Sequence, residues 1–273
     1  MNVKLIALDL DRTTLNSQGK LSNQNRQAII QVIQQGKMVV IASGRPFLSL
    51  PKDVIEIPGI SYAITSNGTA VYNMKNKQCI VQYKLSRESV LWILDRMSQE
   101  QIAYEAFIDG VAYANQDYIE NPVLYGATEH AIEYIQATRK PVEDIISFIQ
   151  FHCENLDCLD IVVKSKQKKE QLMEILGQNK ELYITSSVQQ LIEIVNIKAG
   201  KKSGLVKIGE ITKILPEEMA AFGDAHNDLD MIQYVGYGVA MENATEELKN
   251  AANFVTKSND EDGVAYAIGS YLL

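Results

Sequence analysis

The sequence predicts an α/β fold in which a Rossmann-like parallel-sheet core is interrupted by an inserted α+β domain, and three observations predict it. Near both ends of the chain, short apolar runs alternate with segments of helical periodicity, which is the order that parallel sheets require. The first of these runs, residues 3–8, is continuously apolar after Lys4 and so reads as a strand buried on both faces. In the middle of the chain the grammar changes. Asp109-Gly110 lies between the strand-like runs 102–108 and 111–115, and such a pair is a hairpin signal that builds antiparallel sheet.

Taken in order, the strand at 3–8 ends abruptly in Asp9. Residues 22–35 form a helix, with Ser22 as N-cap, Ala28, Ile29, Val32 and Ile33 at helical spacing, and Gly36 as the stop. Residues 38–42 are a second buried strand, and residues 62–65 a third that leads into Asn67-Gly68. A helix at 86–98 shows Val90, Leu91, Ile93, Leu94 and Met97 as its apolar face ahead of the hairpin. Further helices near 142–150 and 167–176 surround a strand at 159–163. The C-terminal third returns to the first grammar, with strands at 191–195, 219–222 and 238–241 and helices at 204–211 and 229–234. The two outer stretches are expected to share one sheet. That gives a core of residues 1–83 and 188–273 and an insertion of 84–187, joined by linkers at 83–86 and 185–190.

The 273 residues are 46% hydrophobic and 22% charged, enough for two medium cores. Acidic residues outnumber basic ones by 34 to 26, a formal charge of −8, which disfavours nucleic acid or an anionic membrane as a partner. No uncharged apolar run approaches the ~18 residues of a membrane span, and no cleavable signal precedes the first strand, so a cytoplasmic location is expected. Cys79, Cys153 and Cys158 are too few and too irregularly spaced for a disulfide framework. With His152 beside them, Cys153 and Cys158 offer metal-binding groups, but packed, reduced thiols are the plainer reading.

The chemistry lies where strands stop. In an open parallel sheet, ligands bind beyond the carboxyl ends of the strands, and there stand Asp9 and Asp11, one residue apart. Acidic residues also open turns, so this pair alone leaves both readings standing. The second strand ends in Ser43-Gly44-Arg45-Pro46, where a hydroxyl and a glycine amide could donate to phosphate oxygens, although Ser-Gly is also a common turn. The strand at 219–222 runs into Gly223-Asp224-Ala225-His226-Asn227-Asp228, either two more carboxylates at a strand end or a cap for the next helix. Lys201, before the helix placed at 204, could help hold an anion, but Lys198 and Lys202 lie beside it.

In order and context, Asp-x-Asp-x-Thr at 9–13, Ser43, Lys201 and Gly-Asp-x-x-Asn-Asp at 223–228 resemble the four motifs of the haloacid dehalogenase-like phosphatases. The insertion resembles the cap domain of the Cof-type branch, many of whose members are sugar phosphatases. Asn67-Gly68, Gly238-Val239-Ala240-Met241 and Gly263-Val264-Ala265 add to the likeness. Arg12 and Lys202 stand where these proteins usually have glycine, and Thr14 where they usually have leucine.

The resemblance implies that Asp9 is the nucleophile that becomes phosphorylated and Asp11 the acid and base, positioned by Thr13. Leu10 and Gly44 through their amides, with the side chains of Ser43, Lys201 and Asn227, would hold the phosphoryl oxygens. Mg2+ would sit on the carboxylates of Asp9 and Asp224 and the backbone carbonyl of Asp11, with Asp228 supporting from behind. The partner implied is a small phosphorylated metabolite, with the cap as a lid. A phosphomutase or phosphotransferase on the same core, or a phosphate sensor without turnover, would carry the same motifs. Arg12 is expected at negative φ, and Glu105, Asp109, Arg139 and Lys164 in the insertion read as solvated surface.

Overall fold

The structure, a computed structural model, describes residues 2–272, and the chain divides into two compact units. One takes the chain up to Arg45, Leu50–Val81 and everything from Gly200; the other takes Pro46–Ser49 and Gln82–Ala199. The strands in chain order are β1 (Leu5–Leu8), β2 (Met38–Ala42), β3 (Ile60–Thr65), β4 (Ala70–Asn73), β5 (Gln78–Gln82), β6 (Ala103–Ile108) and β7 (Val111–Asn115). They continue with β8 (Arg139–Val142), β9 (Cys158–Val162), β10 (Leu182–Thr185), β11 (Leu191–Asn196), β12 (Met219–Gly223), β13 (Tyr237–Ala240) and β14 (Phe254–Val255). No helix among the described residues is long and apolar enough to cross a membrane.

The first unit is built on an eight-stranded sheet of order β14-β13-β12-β1-β2-β3-β4-β5, parallel from β14 to β3 and antiparallel at β3-β4. All four residues of β1 are buried, as befits a central strand covered on both faces. From β1 the chain builds β2 and β3 to one side and, much later, β12 and β13 to the other, so the order of winding reverses between β1 and β12. The helix Asn23–Gln34 begins where Ser22 accepts the Asn25 amide and buries Ala28, Ile29 and Val32. The helix Lys201–Thr212 begins at Lys201 itself, three residues before the periodicity alone placed it, because the polar Lys201-Lys202-Ser203 turn carries no apolar repeat.

The second unit has a six-stranded sheet of order β10-β11-β9-β6-β7-β8, antiparallel except at β7-β8. Asp109 at φ 48° and Gly110 at φ 80° join β6 to β7, the two positive angles that a tight hairpin turn needs. The strand 191–195, expected in the core sheet, belongs here as β11, paired with β9 and β10. Its Leu-Ile-Glu-Ile-Val run is broken by Glu193, which pairs across to Asp160, so this strand never had the uninterrupted apolar character of a central parallel strand. The unit accordingly extends past residue 187 to Ala199, and residues 185–190 connect β10 to β11 inside it rather than linking the two units.

One face of this second sheet is apolar: Tyr104, Ala106, Leu159, Ile161, Ile192 and Ile194 pack in a core with Val90, Ile93, Ile149 and Leu172 from the helices. The other face carries Glu105, Asp160 and Glu193 in one row across three adjacent strands. All three are buried, and burial followed by the charges of Glu193 and Glu105 pushes the Asp160 carboxyl well above its ordinary range. Glu105 and Arg139 are thus not solvated. Arg139 Nη2 donates to Glu105 Oε2 at 2.5 Å, Tyr118 Oη donates to Glu105 Oε1 at 2.7 Å, and Tyr134 lies against the guanidinium. The excursion 116–138 between β7 and β8 supplies both tyrosines, and nothing in the local sequence announces that it folds back over the sheet. Asp109 and Lys164 are exposed as expected, and Cys153 and Cys158 are buried free thiols.

Because a buried pair that loses one partner strands the other, Arg139→Met should destabilise the second unit by about 3–5 kcal/mol in urea denaturation. Adding Glu105→Leu should recover a large part of that loss. A single variant as stable as the wild type would mean that this pair does not hold the polar face together.

Candidate active site

Asp9 leaves β1 and Asp224 leaves β12 side by side, at the carboxyl ends of the two strands between which the winding reverses. Both are buried, at 5% and 4% exposure, and Asp228 and Lys201 are fully enclosed with them. Lys201 Nζ donates to Asp9 Oδ1 at 2.7 Å and to Asp228 Oδ1 at 2.6 Å. Burial works against this ammonium, but Asp228 and Asp9 outweigh it and its pKa rises, so Lys201 is charged. Of the three lysines in its neighbourhood, the first residue of the helix is the one that reaches the carboxylates.

The loop Gly223-Asp224-Ala225-His226-Asn227-Asp228 folds back on itself. Asp228 Oδ2 accepts the amides of Asp224 and Ala225 at 3.0 and 3.1 Å, so its two oxygens are occupied by protein donors and it braces the loop. Gly223 makes room for this: a Cβ there would lie 2.5 Å from the Asp228 side chain. Asp224 keeps one oxygen on Thr13 Oγ1, at 3.3 Å, and its Oδ2 faces Arg12 Nε at 3.8 Å. The Thr13 hydroxyl is thus engaged by Asp224, while Asp11 has its contacts elsewhere.

Asp11 is gripped by Arg45, with Nε to Oδ2 at 2.8 Å and Nη2 to Oδ1 at 2.5 Å. Arg12 has φ 60°, not the negative angle expected, and its carbonyl accepts Asn243 Nδ2 at 2.9 Å. That tertiary bond and the tight turn select the left-handed conformation, at about 1–2 kcal/mol for an L-residue. Thr14 is buried and its hydroxyl donates to the Asp9 carbonyl at 2.5 Å, a use for the side chain that a leucine could not serve. Lys202 lies over the Tyr234 ring at the surface.

Ser43 and Gly44 directly follow β2, which neighbours β1; Ser43 Oγ accepts the Arg45 amide. Leu10 is buried directly after Asp9. Asn227 Nδ2 donates one N–H to Asn67 Oδ1 at 3.0 Å, which leaves its second N–H for another acceptor, and its buried Oδ1 has no protein partner.

Arg45 and Asn67 are site residues to which the sequence reading gave no role. Arg45 could have been flagged, since a rigid five-donor fork directly after Ser43-Gly44 at a strand end suits an anion or a carboxylate. Asn67 read as part of an Asn-Gly turn, and it is one, at φ 52°. Its carbonyl also accepts the Gly200 amide at 2.8 Å, and a Cβ on Gly68 would come within 2.0 Å of the Gly200 carbonyl, so this glycine lets the turn press against the start of the Lys201 helix.

Carboxylate oxygens of Asp9, Asp224 and Asp228 come within 4.8 Å of one another. Burial, then the Asp228 charge, pushes Asp9 well above the ordinary carboxylate range against the pull of Lys201. Burial and Asp228 push Asp224 up to about 7, with Arg12 and Lys201 opposing. Three buried carboxylates with one buried ammonium leave a negative pocket of hard oxygen donors, which fits a divalent cation such as magnesium. The unpartnered Asn227 Oδ1 at the same strand end suits the hydration of such an ion.

Residues 6–268 match the haloacid dehalogenase-like hydrolase family. The chain is 31% identical to the 5-amino-6-(5-phospho-D-ribitylamino)uracil phosphatase YwtE of Bacillus subtilis, over 99% of this chain and 98% of that one. It is 30% identical to the phosphatase YwpJ of the same organism, over 97% and 98% of the two chains. Among solved structures, a haloacid dehalogenase-like hydrolase from B. subtilis superposes with a TM-score of 0.85 at 26% identity, covering 98% of this chain and 100% of that one. The α/β core, the carboxylate cluster at its strand switch and these likenesses agree: the chain belongs to the haloacid dehalogenase-like hydrolase family, as a phosphoric monoester hydrolase.

Proposed function

We propose that this protein is a magnesium-dependent phosphatase that hydrolyses small phosphorylated metabolites with a sugar or polyol backbone, through a phosphorylated Asp9. The observation that carries the reading is Asp9 itself, buried at the strand switch with one oxygen on the Lys201 ammonium and the other available for attack. The substrate class is supported by the relative YwtE, whose substrate is a phosphate ester on a ribityl chain.

Asp9 attacks phosphorus in line, forming an O–P bond as the bond to the leaving alkoxide breaks. An anion attacking an anion meets repulsion of ~4 kcal/mol per charge pair at ~4 Å and a protein-like dielectric. Lys201 opposes it from one side; the cation held by Asp9, Asp224 and the Asp11 carbonyl would supply further positive charge to the developing phosphoryl anion. Asp11 gives its proton to the leaving oxygen and takes one back from the water that attacks the aspartyl phosphate, so that Asp9 and inorganic phosphate are released. Since Arg45 engages both oxygens of Asp11, one prong must let go for the proton to be carried. The hydroxyl of Ser43 and the amides of Leu10 and Gly44 are the donors assigned to the phosphoryl oxygens.

Asp9→Asn should lower turnover by ~10⁴-fold or more and abolish phosphoenzyme formation while cooperative unfolding is retained. Normal activity, or acid-stable phosphate trapped on another residue, would overturn the assignment. Asp11→Asn should lose ~10²–10⁴-fold on an alkyl phosphate but much less on p-nitrophenyl phosphate, whose leaving group needs little protonation. Equal loss on both would move the acid elsewhere. Chelation with excess EDTA should stop turnover and added Mg2+ restore it; full activity under EDTA would refute the metal dependence.

A further inference from the structure

Arg12 occupies a position for which a flexible surface side chain has no obvious need. Its backbone is held at φ 60°, ψ 13°, a conformation that L-residues rarely adopt, and Asn243 bonds its carbonyl at 2.9 Å, so the origin of the side chain is fixed. From there the guanidinium, half exposed, places Nε 3.8 Å from Asp224 Oδ2, whereas Asp224 itself is only 4% exposed. The other Asp224 oxygen is taken by Thr13. Lys201 contacts Asp9 and Asp228 and leaves Asp224 without a direct ammonium partner. Arg12 is thus the cation that answers the third carboxylate of the cluster.

We propose that Arg12 is a tethered counter-charge that competes with the divalent cation for Asp224 and sets the metal affinity of the site lower than the carboxylates alone would give. The inference rests on the reading of Asp9 and Asp224 as metal-binding groups. With the pocket free of metal, the guanidinium relieves part of the repulsion among Asp9, Asp224 and Asp228. A divalent ion arriving at Asp224 must share that oxygen with Arg12 or push it outward, and like charges within a few ångströms resist this. Because the side chain is half solvated, the swing is cheap, and the effect is a shift in affinity and not a block.

Titration calorimetry of Mg2+ into the substrate-free protein tests this for the wild type, Arg12→Gln, Arg12→Lys and Arg12→Gly. Arg12→Gln keeps the strained backbone and removes the charge; it should tighten the Mg2+ dissociation constant by roughly three- to tenfold. Arg12→Lys should stay within about twofold of wild type, and Arg12→Gly should follow Arg12→Gln. The difference between charged and uncharged variants should shrink as ionic strength rises. Unchanged or weaker binding by Arg12→Gln beside a wild type that binds would overturn the proposal. So would tightening by Arg12→Gly alone, since backbone strain would then be the cause. A wild type that binds no Mg2+, with Asp224→Asn indistinguishable from it, would instead overturn the metal reading of the cluster, and this proposal with it.

Discussion

The Lys201 ammonium, enclosed between Asp9 and Asp228, is the interaction on which the site depends. Taking one ammonium and three carboxylates out of water is tolerable only if each charge meets an opposite charge or strong donors. Lys201 meets two carboxylates, and Asp228 meets Lys201 and two backbone amides. Asp9 and Asp224 are left with less than full compensation, and their raised proton affinities express that deficit. A pocket with unspent negative charge and hard oxygens is prepared for a cation, and a carboxylate with one oxygen pinned is prepared to present the other.

The backbone around this network serves it. The reversal of winding between β1 and β12 brings residues 9 and 224 together although most of the chain lies between them. Gly223 admits the Asp228 side chain over its own strand end, and Gly68 admits the turn that abuts Gly200, just ahead of Lys201. Asn25 ties the Thr14 carbonyl, at 3.1 Å, to the amide of Ala265, at 2.9 Å, which joins the loop after Asp9 to the helix Gly263–Ala267. The Gly263-Val264-Ala265 segment is therefore tied to the Asp9 loop through one buried amide.

The second unit uses buried charge for another purpose. Its polar row has a guanidinium, a tyrosine hydroxyl and a backbone amide as partners, and no cluster of three metal-ligating groups occurs there among the described residues. Asp160, between Glu105 and Glu193, accepts the Cys158 thiol at 2.9 Å, and burial and its two acidic neighbours raise its proton affinity. Its apolar opposite face supplies the core.

By itself the sequence determined the class of fold, most elements of both sheets and the family. Period-two and period-3.6 apolar patterns, Ser22 and Asp109-Gly110 act within a few residues, and Asp9, Asp224 and Asp228 stand just past strand ends. Lys201 opens a helix beside Lys198 and Lys202 and was legible only through the family pattern. What only the tertiary structure decided depends on partners far along the chain. It moved β11 into the second sheet, since an apolar run with one glutamate does not say which strands it will pair with. It buried Glu105 and Arg139 beneath the excursion 116–138, turned Thr13 onto Asp224, and gave Asp11 to Arg45. It also set Arg12 at positive φ, because the bond from Asn243, 231 residues away, selects a backbone conformation that local propensity disfavours.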